Sequence, residues 1–290
     1  MAVIEVNAVA KKYKNHVLGL DDVTFSIGPG VFGLLGHNGA GKTTLMRMIA
    51  TILRPTSGSI TVMGYDTQKD GDAVRGHIGY LPQELNMYNN LSSLDFVSYM
   101  ARLKGVKDTK EVLNKLEEVG MSEYKNRKIG QLSGGMKRRI GIAQAMVGNP
   151  RIVIVDEPTA GLDPEERVRF RGILSRFAGK ERTVILSTHI VEDVYQLCQQ
   201  LAVLRKGRLF FSGTSDMLLE RVRGKVKVID LTSDKDLADV QKQAIVISAT
   251  YGSDGIKARI MDENNLFSQV PVQETLEDAY VYYMGGKEHV

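Results

Sequence analysis

The stretch VFGLLGHNGAGKTTL, residues 31–45, decides the fold that the sequence predicts. The apolar run VFGLL has the length of a buried strand, and Gly36–Thr43 fits the pattern G-x-x-x-x-G-K-[ST]. The glycines allow the backbone to fold back, so that amide N–H groups point at phosphate oxygens. A helix is predicted to follow from about Thr43 to Leu53, and its dipole adds positive potential at the loop. We therefore expect a phosphate-binding loop between a strand and a helix.

The side chains of this loop predict a nucleoside triphosphate and a divalent cation as ligands. Lys42 is long enough to reach the β- and γ-phosphates, and the hydroxyl of Thr43 is a hard oxygen ligand that suits Mg²⁺. Thr44 offers a second hydroxyl in the same helical turn. The predicted ligand-binding residues of the loop are Gly36, His37, Asn38, Gly39, Ala40, Gly41, Lys42, Thr43 and Thr44.

The segment RIVIVDEP (151–158) contains a second apolar run, Ile152–Val155, which is followed by two acids, Asp156 and Glu157. Asp156 is expected to supply the metal anchor that triphosphate chemistry needs from a neighbouring strand. Adjacent residues at a strand end diverge, so Glu157 is expected to face the γ-phosphate, where a carboxylate can polarise the attacking water. The alternative is that Glu157 begins a solvated loop, which Pro158 would favour.

Three further residues fall at or near the ends of predicted strands. His189 follows the strand TVILST, so it should reach the same sheet edge as Asp156 and contact the γ-phosphate or the attacking water. Gln83 ends the predicted strand IGYLPQ, and its amide could bind Mg²⁺ or hold a water. Tyr13 could stack its ring on adenine. Taken singly, each residue also has a structural interpretation, which for Tyr13 is ordinary packing.

The wider pattern predicts an α/β fold, namely a P-loop NTPase core with a parallel sheet, an antiparallel β subdomain and a helical subdomain. Val- and Ile-rich strands alternate with helices after residue 150, which is typical of a parallel sheet covered on both faces. The early strands are joined without helices and predict the antiparallel subdomain. Residues 84–150 are mostly helical and form the predicted helical subdomain.

The character of the sequence changes after about Arg221, where a small C-terminal α+β appendage is predicted. The predicted domains are therefore residues 1–221 and 222–290. The appendage contains no residues with the spacing of a catalytic site. Its predicted elements are strands 225–231, 244–248 and 256–261 and a helix over 275–284.

The composition argues against several other classes of protein. A net charge of +4, from 38 basic and 34 acidic residues, is too small to predict a nucleic-acid partner. The single cysteine, Cys198, excludes an internal disulfide, and its apolar helical surroundings favour a small buried residue over a nucleophile. No signal peptide is predicted, and no apolar run approaches the ~18 residues that a membrane span needs. Any function at a membrane would require a partner.

Together, and in this order, the motifs resemble those of one family, the nucleotide-binding subunits of ATP-binding cassette (ABC) transporters. The resemblance covers roughly residues 1–220. Its most specific part is the pairing of a Walker A loop with the family signature. The matching segments are Tyr13 (adenine-stacking aromatic), Gly36–Thr43 (Walker A), Gln83 (Q-loop), LSGGM at 132–136 (signature), IVIVDE at 152–157 (Walker B with the catalytic glutamate), AGLD at 160–163 (D-loop) and His189 (switch histidine).

The resemblance implies ATP and Mg²⁺ as cofactors and a homodimer or heterodimer with ATP between the subunits. The Walker A loop of one chain would hold an ATP, and Ser133, Gly134 and Gly135 of the other chain would cap it. Asp163 would lie at the dimer seam. An integral membrane permease would dock on the helical region 84–119, which places the protein in the cytoplasm at the inner face of the membrane. The details further resemble the bacterial branch that exports drugs, antibiotics, peptides or ions.

Two competing functions fit the sequence less well. A soluble ABC ATPase acting on ribosomes or DNA would be expected to carry two cassettes or a long coiled-coil insertion, and this chain has one Walker A and no sustained heptads. A P-loop kinase or GTPase would leave Leu132–Met136 unexplained. No nucleic-acid partner is expected.

Met136 is a departure from the family pattern, because the commonest signature has Gln at this position. Gln would complete the Ser-x-x-Gln spacing of a capping box, and Met136 cannot bond back to the backbone of Ser133. The adjoining cations Lys137, Arg138 and Arg139 would be slightly unfavourable at a helix N-terminus without an anion, which fits a phosphate site. Their alternative interpretation is a solvated basic face.

Overall fold

The structure is a computed structural model that describes residues 2–14, 17–179, 181–253 and 255–285. Its elements fall into two units, residues 1–212 and 213–290. The strands up to residue 214 are β1 (Ile4–Lys12), β2 (Leu18–Ile27), β3 (Gly30–Leu35), β4 (Ser57–Val62), β5 (Tyr65–Asp66), β6 (Ile78–Leu81), β7 (Ile152–Asp156), β8 (Thr183–Thr188), β9 (Gln200–Arg205) and β10 (Arg208–Thr214). The helices of the first unit are α1 (Lys42–Ile49), α2 (Gly71–His77), α3 (Ser93–Leu103), α4 (Thr109–Glu118), α5 (Gly134–Met146), α6 (Pro164–Ala178) and α7 (Val191–Leu197).

A six-stranded sheet in the order β10-β9-β3-β8-β7-β6 forms the centre of this fold. The pairings β9-β3, β3-β8, β8-β7 and β7-β6 are all parallel. Every residue of β7 and of β8 is buried, because both faces of a parallel sheet are covered. The predicted parallel core is therefore confirmed, and the carboxyl ends of its parallel strands share one edge.

The other two parts of the predicted core are also present. A second sheet in the order β2-β1-β4-β5 is antiparallel throughout, as expected for strands joined without helices. Helices α3, α4 and α5 pack against one another between β6 and β7 in the chain. The predicted antiparallel and helical subdomains are thus confirmed.

Two predicted boundaries are wrong. Helix α1 ends at Ile49, since Thr51 has a φ of 62° and so leaves the helical conformation well before Pro55. Strand β6 ends at Leu81 because Pro82 has no N–H to donate to a sheet. Gln83 consequently lies in the loop after the strand.

The second unit is a small α+β fold, in agreement with the predicted fold class. Its elements are α8 (Ser215–Glu220), β11 (Val226–Leu231), α9 (Asp234–Gln243), β12 (Ile245–Gly252), β13 (Gly255–Met261) and α10 (Leu276–Gly285). The strands form an antiparallel sheet in the order β11-β13-β12. Buried Lys227 pairs with the Asp262 carboxylate at 2.9 Å, which fixes the chain after β13 to β11. The predicted division at Arg221 stays a prediction.

Cys198 caps the C-terminal end of α7 and is buried. Burial raises the pKa of its thiol to about 12, so the group is uncharged at neutral pH. The interpretation of Cys198 as a small buried residue is therefore confirmed. Among the described residues, no helix combines the length and the apolar character that crossing a membrane requires.

Candidate active site

The predicted phosphate-binding loop connects β3 to α1. Gly41 stands at the helix start with a φ of 104°, and a Cβ there would lie 2.6 Å from the carbonyl oxygen of Gly19. A glycine is therefore required for both backbone conformation and space. Lys42 folds over the loop, where its Nζ donates to the carbonyl oxygens of Gly36 at 2.5 Å and His37 at 3.2 Å.

The parallel strands bring the predicted catalytic residues to the same edge of the sheet as this loop. Strand β8 pairs with β3 on one side and with β7 on the other, and Asp156 lies opposite Ser187. Gly36 follows β3, and His189 follows β8. This placement is the one predicted from the strand ends.

Glu157 is the centre of an ionic cluster. Its Oε1 lies 3.1 Å from Lys42 Nζ, and its Oε2 lies 2.8 Å from His189 Nδ1. The side chain is only 5% exposed, so the alternative of a solvated loop residue is excluded. A carboxylate held between a lysine and a histidine has its position fixed and its charge partly compensated. Glu157 therefore contacts both of the other residues predicted to be catalytic, Lys42 and His189.

Asp156 differs from Glu157 in its surroundings. It is completely buried, and its Oδ1 accepts a hydrogen bond from the hydroxyl of Ser187. Its Oδ2 has no hydrogen-bond partner among the described residues. A buried carboxylate oxygen without a donor is costly unless a cation meets it, so this atom fits the predicted role as a metal ligand. Thr43, in the first turn of α1, and Gln83 are the other predicted ligands of the metal.

A cleft of about 300 Å³ opens at the loop. It gathers most of the predicted nucleotide-binding residues and adds three that the sequence analysis missed, Val17, Leu18 and Gly19. Apolar side chains beside an aromatic ring suit a flat base, but an apolar strand start carries no distinctive sequence signal. The predicted residues that line the cleft are Tyr13, His37, Asn38, Gly39, Ala40, Gly41, Lys42, Thr43, Thr44, Gln83 and Glu157.

Tyr13 presents its ring to this cleft. The side chain is 41% exposed, so burial in a core does not explain it. Its hydroxyl lies 3.0 Å from the hydroxyl of Thr44, and the ring edge lies against Gly19, where a Cβ would come within 2.7 Å. The ring is thus held in place at the mouth of the cleft, as stacking on a base would require.

Ser133, Gly134, Gly135 and Asp163 do not line this cleft. Ser133 caps α5, since its hydroxyl accepts a hydrogen bond from Met136 N at 3.2 Å. Ser133 and Gly134 are exposed, whereas Gly135 is buried. A Cβ at Gly135 would lie 2.6 Å from the Glu166 carboxylate, so a larger residue would require the Glu166 side chain to move.

Asp163 is exposed and caps α6, since its Oδ1 accepts a hydrogen bond from Glu166 N at 2.8 Å. Pro164 follows at the first helical position, where proline is favoured. This capping role was missed, although Asp before Pro and two glutamates is a recognisable helix start. The predicted position of Asp163 at a dimer seam stays a prediction.

Two of the three cations after the signature, Arg139 and Arg138, have different environments. Arg139 is buried, and its guanidinium lies 3.3 Å from the Glu166 carboxylate and donates to the Gly120 carbonyl at 3.1 Å. Its interpretation as part of a phosphate site or a solvated face is therefore wrong, because α6 supplies the anion. Arg138 donates to the Gln83 carbonyl at 3.0 Å. Burial lowers the pKa of Arg138, while the charges of Glu157 and Asp156 act in the opposite direction.

The cap of α5 predicts a small effect for Met136→Gln. The bond from the backbone N–H of residue 136 to the Ser133 hydroxyl is kept, and glutamine adds the reciprocal bond, worth about 0.5 kcal/mol. ATP hydrolysis is expected to stay within a few-fold of the parent rate, and thermal denaturation should show a slight stabilisation. A change in hydrolysis by orders of magnitude would contradict this description of the helix start.

The strand, glycine loop and helix, with Lys42 over the loop and Asp156 at the end of β7 on the same sheet edge, define the fold of a P-loop nucleoside triphosphatase. Solved structures support this class. One is cbiO1 from Clostridium perfringens, described as part of the ABC transporter complex cbiONQ, with a TM-score of 0.67, 28% identity, and coverage of 76% of this chain and 92% of that one. Another is an ATP-binding cassette in a dimeric post-hydrolysis state bound to ADP and Pi. It has a TM-score of 0.67 and 25% identity, and the match covers 73% of this chain and 98% of that one.

Sequence comparison narrows the class to a family. The model of the family described as ABC transporter matches residues 20–160. The ABC transporter ATP-binding protein NatA of Bacillus subtilis (strain 168) is 36% identical over 218 residues, which cover 73% of this chain and 88% of NatA. The Nod factor export ATP-binding protein I of Burkholderia thailandensis is 37% identical over 228 residues, which cover 76% of this chain and 73% of that protein. The chain belongs to the ABC transporter family and is an ATP-binding subunit.

Proposed function

We propose that the chain hydrolyses ATP at an interface between two such subunits and thereby drives export through a separate membrane permease. The observation that carries the proposal is the contact of the Glu157 carboxylate with both Lys42 and His189, at the sheet edge where the phosphate-binding loop begins. A lysine and a histidine fix one buried acid beside a triphosphate-sized cleft, which is the arrangement that positioning an attacking water requires.

The chemistry follows from the residues of this edge. Backbone amides of the loop and Lys42 would bind the β- and γ-phosphates, with the dipole of α1 behind them. Glu157 would accept a hydrogen bond from the attacking water and orient it, while His189 would hold Glu157 in place. Thr43, Gln83 and Asp156 would hold Mg²⁺, which supplies neutralisation of the negative charge on the phosphates. The buried Oδ2 of Asp156, which has no hydrogen-bond partner within the described part of the chain, supports this last assignment.

A second subunit, identical or related, is part of the proposal. Ser133 and Gly134 are exposed at the N-terminus of α5, where a helix favours an anion, yet they lie outside the cleft of their own chain. A phosphate bound in another copy would meet both conditions. The solved relative described as dimeric and bound to ADP and Pi supports such an arrangement.

The permease and the direction of transport rest on the relatives. Nod factor export ATP-binding protein I is named for export, and NatA is named as a transporter ATP-binding protein. We propose that the chain works in the cytoplasm at the inner face of the membrane. The permease would dock on residues 84–119, where Tyr88, Tyr99 and Leu103 are exposed.

Fractionation with a membrane partner tests this function. The chain is expressed alone and with the membrane protein encoded beside it, and ATPase activity is measured in each membrane and soluble fraction. We expect the chain to enter the membrane fraction with the partner, to co-purify with it in detergent and to hydrolyse ATP. Glu157→Gln should reach the membrane equally, because residue 157 lies outside the docking region. A chain that stays soluble with the partner, or that sediments with ribosomes instead, would contradict the proposal.

His189→Ala is expected to lower the kcat of ATP hydrolysis by roughly 100-fold, because the partner that holds Glu157 Oε2 at 2.8 Å is removed. ATP binding should change little, since Lys42 and the loop remain. Steady-state kinetics and nucleotide titration would measure both effects. His77→Ala is a matched control, since His77 stacks on Tyr65 away from the cleft. Unchanged turnover in His189→Ala would show that the histidine is structural.

A further inference from the structure

Ser187 is a buried hydroxyl that the catalytic scheme above does not use. It lies in β8 directly opposite Asp156 of β7 and has no exposed surface. The rest of β8 up to this residue is apolar except for Thr183 at its start. A hydroxyl placed at the end of such a strand must be hydrogen-bonded, so its partners show what it does.

The hydroxyl of Ser187 bridges the two adjacent acids. It donates to Asp156 Oδ1 and accepts from the backbone N–H of Glu157 at 3.0 Å. The carbonyl oxygen of Ser187 accepts from the same N–H at 3.2 Å. One residue on β8 therefore contacts both the side chain of the predicted metal ligand and the backbone of the predicted catalytic residue.

The bond to Asp156 determines which carboxylate oxygen is available. Oδ1 is occupied by the Ser187 hydroxyl, and Oδ2 has no hydrogen-bond partner among the described residues. A carboxylate in a buried site can rotate unless a donor fixes it. The Ser187 hydroxyl supplies that donor, so a single defined oxygen faces the site.

The bonds to Glu157 hold an unusual backbone conformation. Glu157 has a φ of 47°, in the left-handed region that non-glycine residues rarely adopt. Such a conformation persists only where the surroundings enforce it. Two oxygens of Ser187, its hydroxyl and its carbonyl, accept from the Glu157 N–H and thereby enforce this conformation. The conformation turns the Glu157 side chain towards Lys42 and His189.

We propose that Ser187 is a positioning residue that presents Asp156 Oδ2 to Mg²⁺ and aims the Glu157 carboxylate at the attacking water. The inference rests on the proposed function, because it concerns the same site. Outer-shell donors to metal-binding carboxylates typically change metal affinity or activity by roughly 10–100-fold when removed.

Ser187→Ala tests the inference by separating metal affinity from nucleotide affinity. We expect the kcat of ATP hydrolysis to fall by roughly 10–100-fold and the Mg²⁺ concentration for half-maximal activity to rise by about 10-fold. Electron paramagnetic resonance of Mn²⁺ with a non-hydrolysable ATP analogue should show Mn²⁺ bound about 10-fold more weakly than in the parent. Binding of ATP in EDTA should stay at the parent value, because the loop and Lys42 are intact.

Two further variants control the experiment. Thr183→Val removes a buried hydroxyl from the other end of the same strand and should leave metal affinity unchanged. In the described structure this hydroxyl contacts the Gly28 carbonyl at 3.4 Å. Ser187→Thr keeps the hydroxyl and should restore most of the Mn²⁺ affinity. If Ser187→Ala loses ATP binding in EDTA, its fold has changed, and Ser187→Cys, of similar volume but a weak donor, replaces it in the same measurements.

Each outcome bears on one hypothesis. Unchanged Mn²⁺ and Mg²⁺ dependence in Ser187→Ala, or in Ser187→Cys where it replaces that variant, would overturn the positioning role. An equal loss in Thr183→Val would also overturn it, because the effect would then be general to the strand. A parent protein that fails to hydrolyse ATP with Mg²⁺ and permease present would instead contradict the proposed function, while the Mn²⁺ measurement would still decide the role of Ser187.

Discussion

Glu157→Gln is expected to abolish ATP hydrolysis while ATP still binds. Glutamine keeps the size of the side chain but cannot take a proton from water, so kcat should fall by roughly 100- to 10,000-fold. Lys42 also loses the anion 3.1 Å away, which would otherwise compete with a phosphate for its charge. We therefore expect ATP affinity to be kept or increased, and an ATP-bound dimer to accumulate.

Single-turnover hydrolysis, nucleotide titration and size-exclusion chromatography with ATP would measure these three effects. Glu165→Gln is the matched control, because Glu165 is an exposed acid that pairs with Arg169 at 2.6 Å on the surface of α6. It should hydrolyse ATP at the parent rate. Parental turnover in Glu157→Gln would remove Glu157 from the catalytic role.

Lys42→Ala is expected to lower ATP affinity by roughly 100-fold or more, since charged hydrogen bonds to phosphate are each worth about 1.5–3 kcal/mol. The structure adds a second effect. Both members of the Lys42–Glu157 pair are 5% exposed, so the variant leaves a buried acid without the cation that pairs with it. Removing one partner of a buried pair costs about 3–5 kcal/mol, and the free energy of unfolding should fall accordingly.

The double variant Lys42→Ala with Glu157→Gln separates the two effects. Neutralising the stranded acid should recover most of the lost free energy of unfolding in denaturant titrations, while ATP binding should stay lost. Lys69→Ala, at an exposed position, should change neither quantity. Equal stability of the single variant and the parent would contradict the importance of the ion pair, and retained ATP binding would contradict the role of Lys42.

The fold and the main residues of the site could be predicted because their signals are local or follow a simple rule. The glycine pattern of Gly36–Thr43 requires one backbone path. The Val- and Ile-rich runs within β7 and β8 indicate a parallel sheet, and strand ends in such a sheet share an edge. That rule placed Asp156, Glu157 and His189 together without knowledge of any distance.

The contacts within the site could not be predicted, because they depend on side chains that are far apart in the chain. Lys42 and Glu157 meet only through the sheet order. In the sequence, Arg139 is one of three adjacent cations, and its pairing with Glu166 of α6 depends on how the two helices pack. Ser187 belongs to no recognisable motif. Its role depends on Asp156, the residue opposite it on β7, which the sequence around Ser187 does not reveal.

Secondary structure was missed where it is short or strongly charged. Helix α2 has seven residues and a single buried apolar side chain, Val74, so it shows no helical periodicity. Helix α9 has ten residues but buries only Leu237 and Val240. Tertiary packing and the capping box of Ser233 with Asp236 stabilise α9, and a capping box without an apolar run after it is easily overlooked.

The cap of helix α5 has a consequence for mutational tolerance at the signature. The Ser133 hydroxyl bonds to the backbone N–H of residue 136 and not to its side chain. Every amino acid except proline supplies that N–H. A library of all substitutions at residue 136 should therefore be depleted in proline before any other residue. Substitutions at this position can therefore be tolerated during evolution while the turn formed by Ser133, Gly134 and Gly135 is kept.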